Sequence, residues 1–143
     1  MQPATLLLAG LASLAAAVPL AADPNVVAIQ NLSVRKNNGT QAASFTIAPA
    51  GAKCSQTDST ALVYPRMTEC TGGAYNYYFQ ISELETADTW NLTITREVGM
   101  NSVVNGSLAV PTYCRAGGNG ANDYVCSQVG NSTTVLNQRF GTN

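Results

Sequence analysis

The run Trp90-Asn91-Leu92-Thr93-Ile94-Thr95-Arg96-Glu97-Val98 alternates apolar and polar side chains. A strand places successive side chains on opposite faces, so this pattern describes a strand half buried in a core. Trp90, Leu92, Ile94 and Val98 take one face, and Arg96 is the misfit on it. Tyr75, Tyr77, Phe79 and Ile81 alternate in the same way. Further runs rich in Val, Ile, Thr, Tyr and Phe predict strands over Val26–Arg35, Ser44–Ala48, Leu62–Tyr64, Ala74–Leu84, Thr89–Val98, Val103–Val110, Tyr124–Val129 and Thr133–Phe140. Turn residues separate them: Asn37-Asn38-Gly39, Pro49-Ala50-Gly51, Gly72-Gly73, Asn105-Gly106, the glycines of 117–120 and Gly130. Many short strands with regular turn signals predict an all-β sandwich or barrel.

The chain of 143 residues has room for one domain. Residues 1–22 carry no charged side chain, and Leu6 to Leu14 is an apolar run. Ala15-Ala16-Ala17 fits a small-x-small cleavage site, so residues 1–17 read as a secretory signal peptide. Leu20-Ala21-Ala22 is a second cleavage point, which puts the latest cut at 22. Residues 18–25 then form a short flexible N-terminal segment and 26–143 the folded domain. Ala-richness, Pro19 and the lack of a basic flank argue against a membrane helix.

Secretion sets the reading of the four cysteines. In an oxidising compartment an even number in a small domain implies disulfides, and four allow three connectivities. The sequential one, Cys54–Cys70 with Cys114–Cys126, closes two local loops and is favoured. With both formed, no thiol is left for nucleophilic catalysis or zinc.

Chemistry is sparse. The chain has no histidine, which removes the commonest general base and metal ligand. Charged residues are 10% and the net charge is −1, which speaks against nucleic acid or an anionic membrane as partner. Glu83 and Glu85 can share a strand face, but with Asp88 they read as a solvated turn. Asn119, Asn122 and Asp123 supply one carboxylate, too few for a convincing calcium site. No cofactor is expected. Five Asn-x-Ser/Thr sequons, at Asn31, Asn38, Asn91, Asn105 and Asn131, are candidate glycosylation sites in a secreted protein. Asn91 falls on the polar face of its strand, whereas Asn38 and Asn105 sit in Asn-Gly pairs that read more simply as turns. Within the aromatic run Tyr75–Phe79, Tyr78 must face away from Tyr75, Tyr77 and Phe79. An outward tyrosine is a candidate contact for a partner.

Cys114 and Cys126 bound the segment Tyr113-Cys114-Arg115-Ala116-Gly117-Gly118-Asn119-Gly120, followed after two residues by Asp123-Tyr124-Val125-Cys126. Three glycines and the αL-tolerant Asn119, Asn122 and Asp123 make this two strands joined by a turn-rich loop. The segment resembles the signature of the Alternaria major-allergen family, small secreted fungal proteins that include elicitors of plant defence. The resemblance implies a single-domain antiparallel β-barrel without catalytic activity. It also implies a binding role toward a plant host protein, either a thaumatin-like defence protein or a surface receptor. In that family's allergen an additional cysteine ahead of the barrel links two subunits. Here no cysteine precedes Cys54, so a monomer or non-covalent dimer is expected. Without the resemblance, a carbohydrate-binding module, a hydrolase working with carboxylates alone and a structural wall or spore-surface protein remain open.

Overall fold

The computed structural model describes residues 23–141, and the expected signal peptide lies outside them. Ten antiparallel strands follow in order: β1 Val26–Asn37, β2 Thr40–Ala48, β3 Ala52–Gln56, β4 Thr68–Glu69, β5 Tyr77–Glu83, β6 Thr89–Gly99, β7 Ser102–Ala116, β8 Asp123–Gln128, β9 Ser132–Val135 and β10 Gln138–Gly141. Their neighbours run β3-β2-β1-β8-β7-β6-β5-β4. β8 fills the space between β1 and β7 over one half of their length, and β9 with β10 fills the other half. The ring is joined between β3 and β4 by the Lys53–Thr71 bridge, two backbone bonds of 2.8 Å, and by the Cys54–Cys70 disulfide. This is an all-β, nearly closed antiparallel barrel, with no helix among the described residues.

Period-two patterning puts the core inside. Val27, Ile29 and Val34 of β1, Phe45 and Ile47 of β2, Tyr77, Phe79 and Ile81 of β5, and Trp90, Leu92 and Ile94 of β6 are all buried. Phe45 and Phe79 meet edge to face across the interior, with centroids 5.0 Å apart. Such contacts add to the area that large rings remove from water. These side chains pack the interior, one of the two outcomes open to a barrel of about eight strands.

Five expectations need correction. Tyr75 does not share the inward alternation of Tyr77, Phe79 and Ile81 but precedes β5 and is exposed. Leu62–Tyr64 is not a strand but part of a loop of successive turns, held by Ala61 N–H to Asp58 O and Arg66 N–H to Val63 O. Leu62 is buried because it anchors that loop to the core. Thr133–Phe140 is two strands, since Leu136 breaks out of the ladder to fill the interior. Asn105-Gly106 is not a turn but lies mid-strand in β7, with Thr95 and Ile94 opposite. Its glycine is required for space: a Cβ on Gly106 would stand 2.6 Å from the Val135 carbonyl oxygen. Lastly, Val98 is 39% exposed. Arg96 takes the last inward position, and the register with β7 shifts between Glu97 and Gly99.

β3 and β4 escaped the sequence reading. Ala-Lys-Cys-Ser-Gln has no β-branched or aromatic residue, and it is a strand because β2 pairs with it over Ala52 to Gln56. Strand preference reflects packing context more than intrinsic propensity. At the amino-terminal end, Asp23–Asn25 forms a turn tied at both sides. Val26 N–H donates to Asp23 O at 3.0 Å and Leu136 N–H to Asn25 O at 2.8 Å.

Candidate functional site

The cysteine-bounded segment becomes the end of β7, a loop and β8. The disulfides pair as favoured, Cys54 with Cys70 and Cys114 with Cys126, and no free cysteine remains. Cys114 and Cys126 are directly opposite across the β7–β8 ladder. Asp123 organises the loop. Its side chain is fully out of water and accepts from Arg35 Nε at 3.1 Å and Nη2 at 3.0 Å, and from the Asn119 backbone N–H at 3.0 Å. Gly117 has no room for a Cβ, because the Asp123 carboxylate occupies that space. The Arg–carboxylate fork is bidentate, the strong geometry for such a pair. The density of the motif is thereby explained by loop architecture: Gly117 makes room, Asp123 holds, and Gly118 and Gly120 turn with φ of 94° and 105°.

The Arg35 hydrogen bonds hold the Asp123 carboxyl below the usual carboxylate range, with the Asn119 N–H adding to the effect against burial. A depressed folded value gives stability that is present above the unfolded pKa, near 4, and is lost as pH falls through the folded value. We expect the urea midpoint to decline as pH is lowered from about 4. In Asp123→Asn that decline shrinks, and the loop is cut sooner by protease at pH 7. An identical acid profile in the variant would show that the pair contributes nothing.

Tyr78 faces outward, as expected, while Tyr77 and Phe79 face the core. Its hydroxyl donates to Glu97 Oε1 at 2.7 Å, and Asn76 Nδ2 donates to Glu97 Oε2 at 3.0 Å. The two bonds, Asn76 first, hold the Glu97 carboxyl low, and the bond to Glu97 pushes the Tyr78 phenol up. Tyr78 is thus a fixed aromatic, not a free one. It stands on an outer face built of cross-strand rows: Ser82, Asn91 and Ala109; Gln80, Thr93 and Ser107; Glu69, Tyr78, Thr95, Asn105 and Gln138. Thr93 and Ser107 share a hydroxyl bond of 2.8 Å.

The remaining sequons are scattered. Asn31 sits in αL, φ 58°, where the register of β1 with β2 shifts. Gln128 repairs the ladder there, accepting from Leu32 N–H at 3.0 Å and donating to Ile29 O at 2.8 Å. Asn31 and Asn131 line one groove of about 260 Å³. Asn38 is exposed at the β1–β2 turn, while Asn91 and Asn105 are half-buried in mid-strand.

Two features were not foreseen. Arg96 is 6% exposed; its Nη2 donates to Asn25 Oδ1 at 2.6 Å, and the guanidinium lies 4.7 Å from the Tyr75 ring centroid. The ring face and the amide offset part of the cost of burying the cation. The break in alternation at Arg96 was its only trace in the sequence. The second is the groove beside Leu62–Tyr64, described below, which no local pattern marks. Among the described residues no group of three or more His, Cys, Asp or Glu is placed to hold a metal. Glu83 instead pairs with Lys36 at the barrel's rim.

The geometry defines a disulfide-closed antiparallel β-barrel with a filled interior and a loop locked by a buried aspartate. The chain belongs to the Alternaria alternata allergen 1 family, whose model matches residues 29–126. It is an allergen-type protein. A crystal structure of the Alternaria alternata major allergen Alt a 1 is similar at a TM-score of 0.65 and 21% identity, covering 85% of this chain and 98% of that one. A second crystal structure of Alt a 1 gives 0.62 and 25%, covering 80% and 88%. No curated protein sequence matches the chain.

Proposed function

We propose that this chain is an extracellular fungal effector or elicitor that acts by binding a plant host protein and thereby provokes defence. The observation that carries this reading is the filled interior. With Trp90, Tyr77 and Phe79 wholly buried, recognition falls to the outer surface. There Tyr78 is held ready by Glu97, so little side-chain freedom is lost on contact. A thaumatin-like defence protein or a surface receptor is the partner class, approached by a secreted monomer or non-covalent dimer. Infiltration of leaves with folded protein should evoke cell death and an oxidative burst that a reduced and alkylated sample does not. Tyr78→Ala, on the outer face, should weaken the response while leaving the fold intact. Silence from the folded protein would overturn the reading. The Ser, Thr, Asn and Gln side chains in the rows beside Tyr78, which itself stands between Glu69 and Glu97, support a carbohydrate-binding module as the second reading, which binding on a glycan array would reveal.

A further inference from the structure

A groove of about 450 Å³ runs between the β1–β2 turn and the 57–67 loop. That size is within the roughly 300–1,000 Å³ of small-ligand sites. One rim is Asn38-Gly39-Thr40, a complete sequon at an exposed turn with Asn38 in αL at φ 52°. The opposite wall presents Val63 and Tyr64, 60% and 57% exposed, over a floor that includes Ile81. No charged residue lines the groove, only amides, hydroxyls and apolar groups. Amide and hydroxyl partners beside one accessible aromatic are the chemistry that holds a neutral sugar.

The walls are preformed. Asp58 Oδ1 accepts from the Thr60 N–H at 2.9 Å and the Thr60 hydroxyl at 2.7 Å, and Arg66 donates to Thr60 O at 3.1 Å. Gln80 Nε2 donates to Pro65 O at 2.7 Å, fastening the loop to β5. Gln41 Nε2 donates to Asn37 O at 3.1 Å and braces the turn that carries Asn38. The other four sequons lack this setting: Asn31 and Asn131 line a groove without an aromatic, and Asn91 and Asn105 are half-buried in strands.

We propose that Asn38 carries an N-linked glycan whose first N-acetylglucosamine units lie in this groove against Tyr64. The donor is a polyprenyl-diphosphate-linked oligosaccharide. The Asn38 amide nitrogen bonds to its anomeric carbon, the carbon–oxygen bond to the diphosphate breaks, and the amide proton leaves with the released diphosphate. The glycan covers Val63 and Tyr64, apolar side chains otherwise left in water. This inference rests on the secretion part of the proposed function.

The full chain is expressed in a eukaryotic secretion host, and the protein in the medium is analysed by glycopeptide mass spectrometry. Absence from the medium would count against secretion. Secreted protein with a bare Asn38 would overturn the glycan with secretion intact. With the glycan present, we expect the N-acetyl methyl protons of the first sugars to shift upfield in the ring current of Tyr64 and to return to free values in Tyr64→Ala. We also expect Tyr64→Ala to lower the Tm of the glycosylated protein but to leave that of Asn38→Gln unchanged. Equal effects of Tyr64→Ala on both backgrounds, with unshifted methyl signals, would overturn docking in the groove.

Discussion

Replacing Cys54 and Cys70 together with serine is expected to destabilise the folded chain by about 2–5 kcal/mol and to cost more than the matching change at Cys114 and Cys126. Loop length alone predicts little difference, since the sequence separations are 16 and 12 and the entropic effect grows only slowly with length. Position in the barrel separates them. Cys54–Cys70 crosses the seam between β3 and β4, where the backbone supplies the Lys53–Thr71 bridge and, past the strand ends, one bond from Ala74 N–H to Ala50 O at 3.2 Å. Cys114–Cys126 lies inside a ladder already paired from Thr112 to Ala116. Urea midpoints of the two double variants, refolded without reductant, test this. If the 114/126 variant loses as much or more, the seam is not the weak point of the barrel.

Trp90→Ala is expected to destabilise by about 3–5 kcal/mol, the usual cost of truncating a large buried ring. Trp90 is wholly buried, is flanked across the sheet by Glu83 and Val110, and is the largest buried side chain. Its indole N–H finds no acceptor among the described residues, so the side chain contributes through its ring and not through a hydrogen bond. Trp90→Phe, which keeps a ring and removes the unmet donor, should lose much less than Trp90→Ala. Thermal unfolding followed by far-UV circular dichroism distinguishes the pair. Equal losses in both variants would mean that the indole ring's extra volume, not aromatic packing in general, holds this part of the core.

The strands legible in the sequence were those whose inward residues are large and strictly alternate. β5 and β6 declare themselves through Tyr77, Phe79 and Ile81 and through Trp90, Leu92 and Ile94, all of which face inward. The disulfide pairing was favoured among three connectivities because the sequential one closes two short loops between turn-bearing segments, and the structure bears it out. The outward direction of Tyr78 followed from parity, but its bond to Glu97 joins side chains 19 positions apart and has no local signature. The Arg35–Asp123 pair, 88 positions apart, was hidden for the same reason. Leu62 misled because an apolar residue anchoring a loop has the same composition as one in a strand.

By itself, the sequence determined that this chain is all-β, which runs face inward at β5 and β6 and which family signature it carries, and it favoured one of three cysteine pairings, which the structure then fixed. The strand readings rest on parity and turn chemistry, which act over a few residues, and the family signature rests on the likeness of one motif. The tertiary structure alone decided that Ala52–Gln56 is a strand, that β7 runs unbroken through Asn105-Gly106, that Arg96 is buried against Tyr75, and that Asn38 shares a groove with Tyr64. In each of these a partner far along the chain supplies the hydrogen bonds, the ring face or the missing space. Local preference differs by about 1 kcal/mol between residues, and such partners outweigh it.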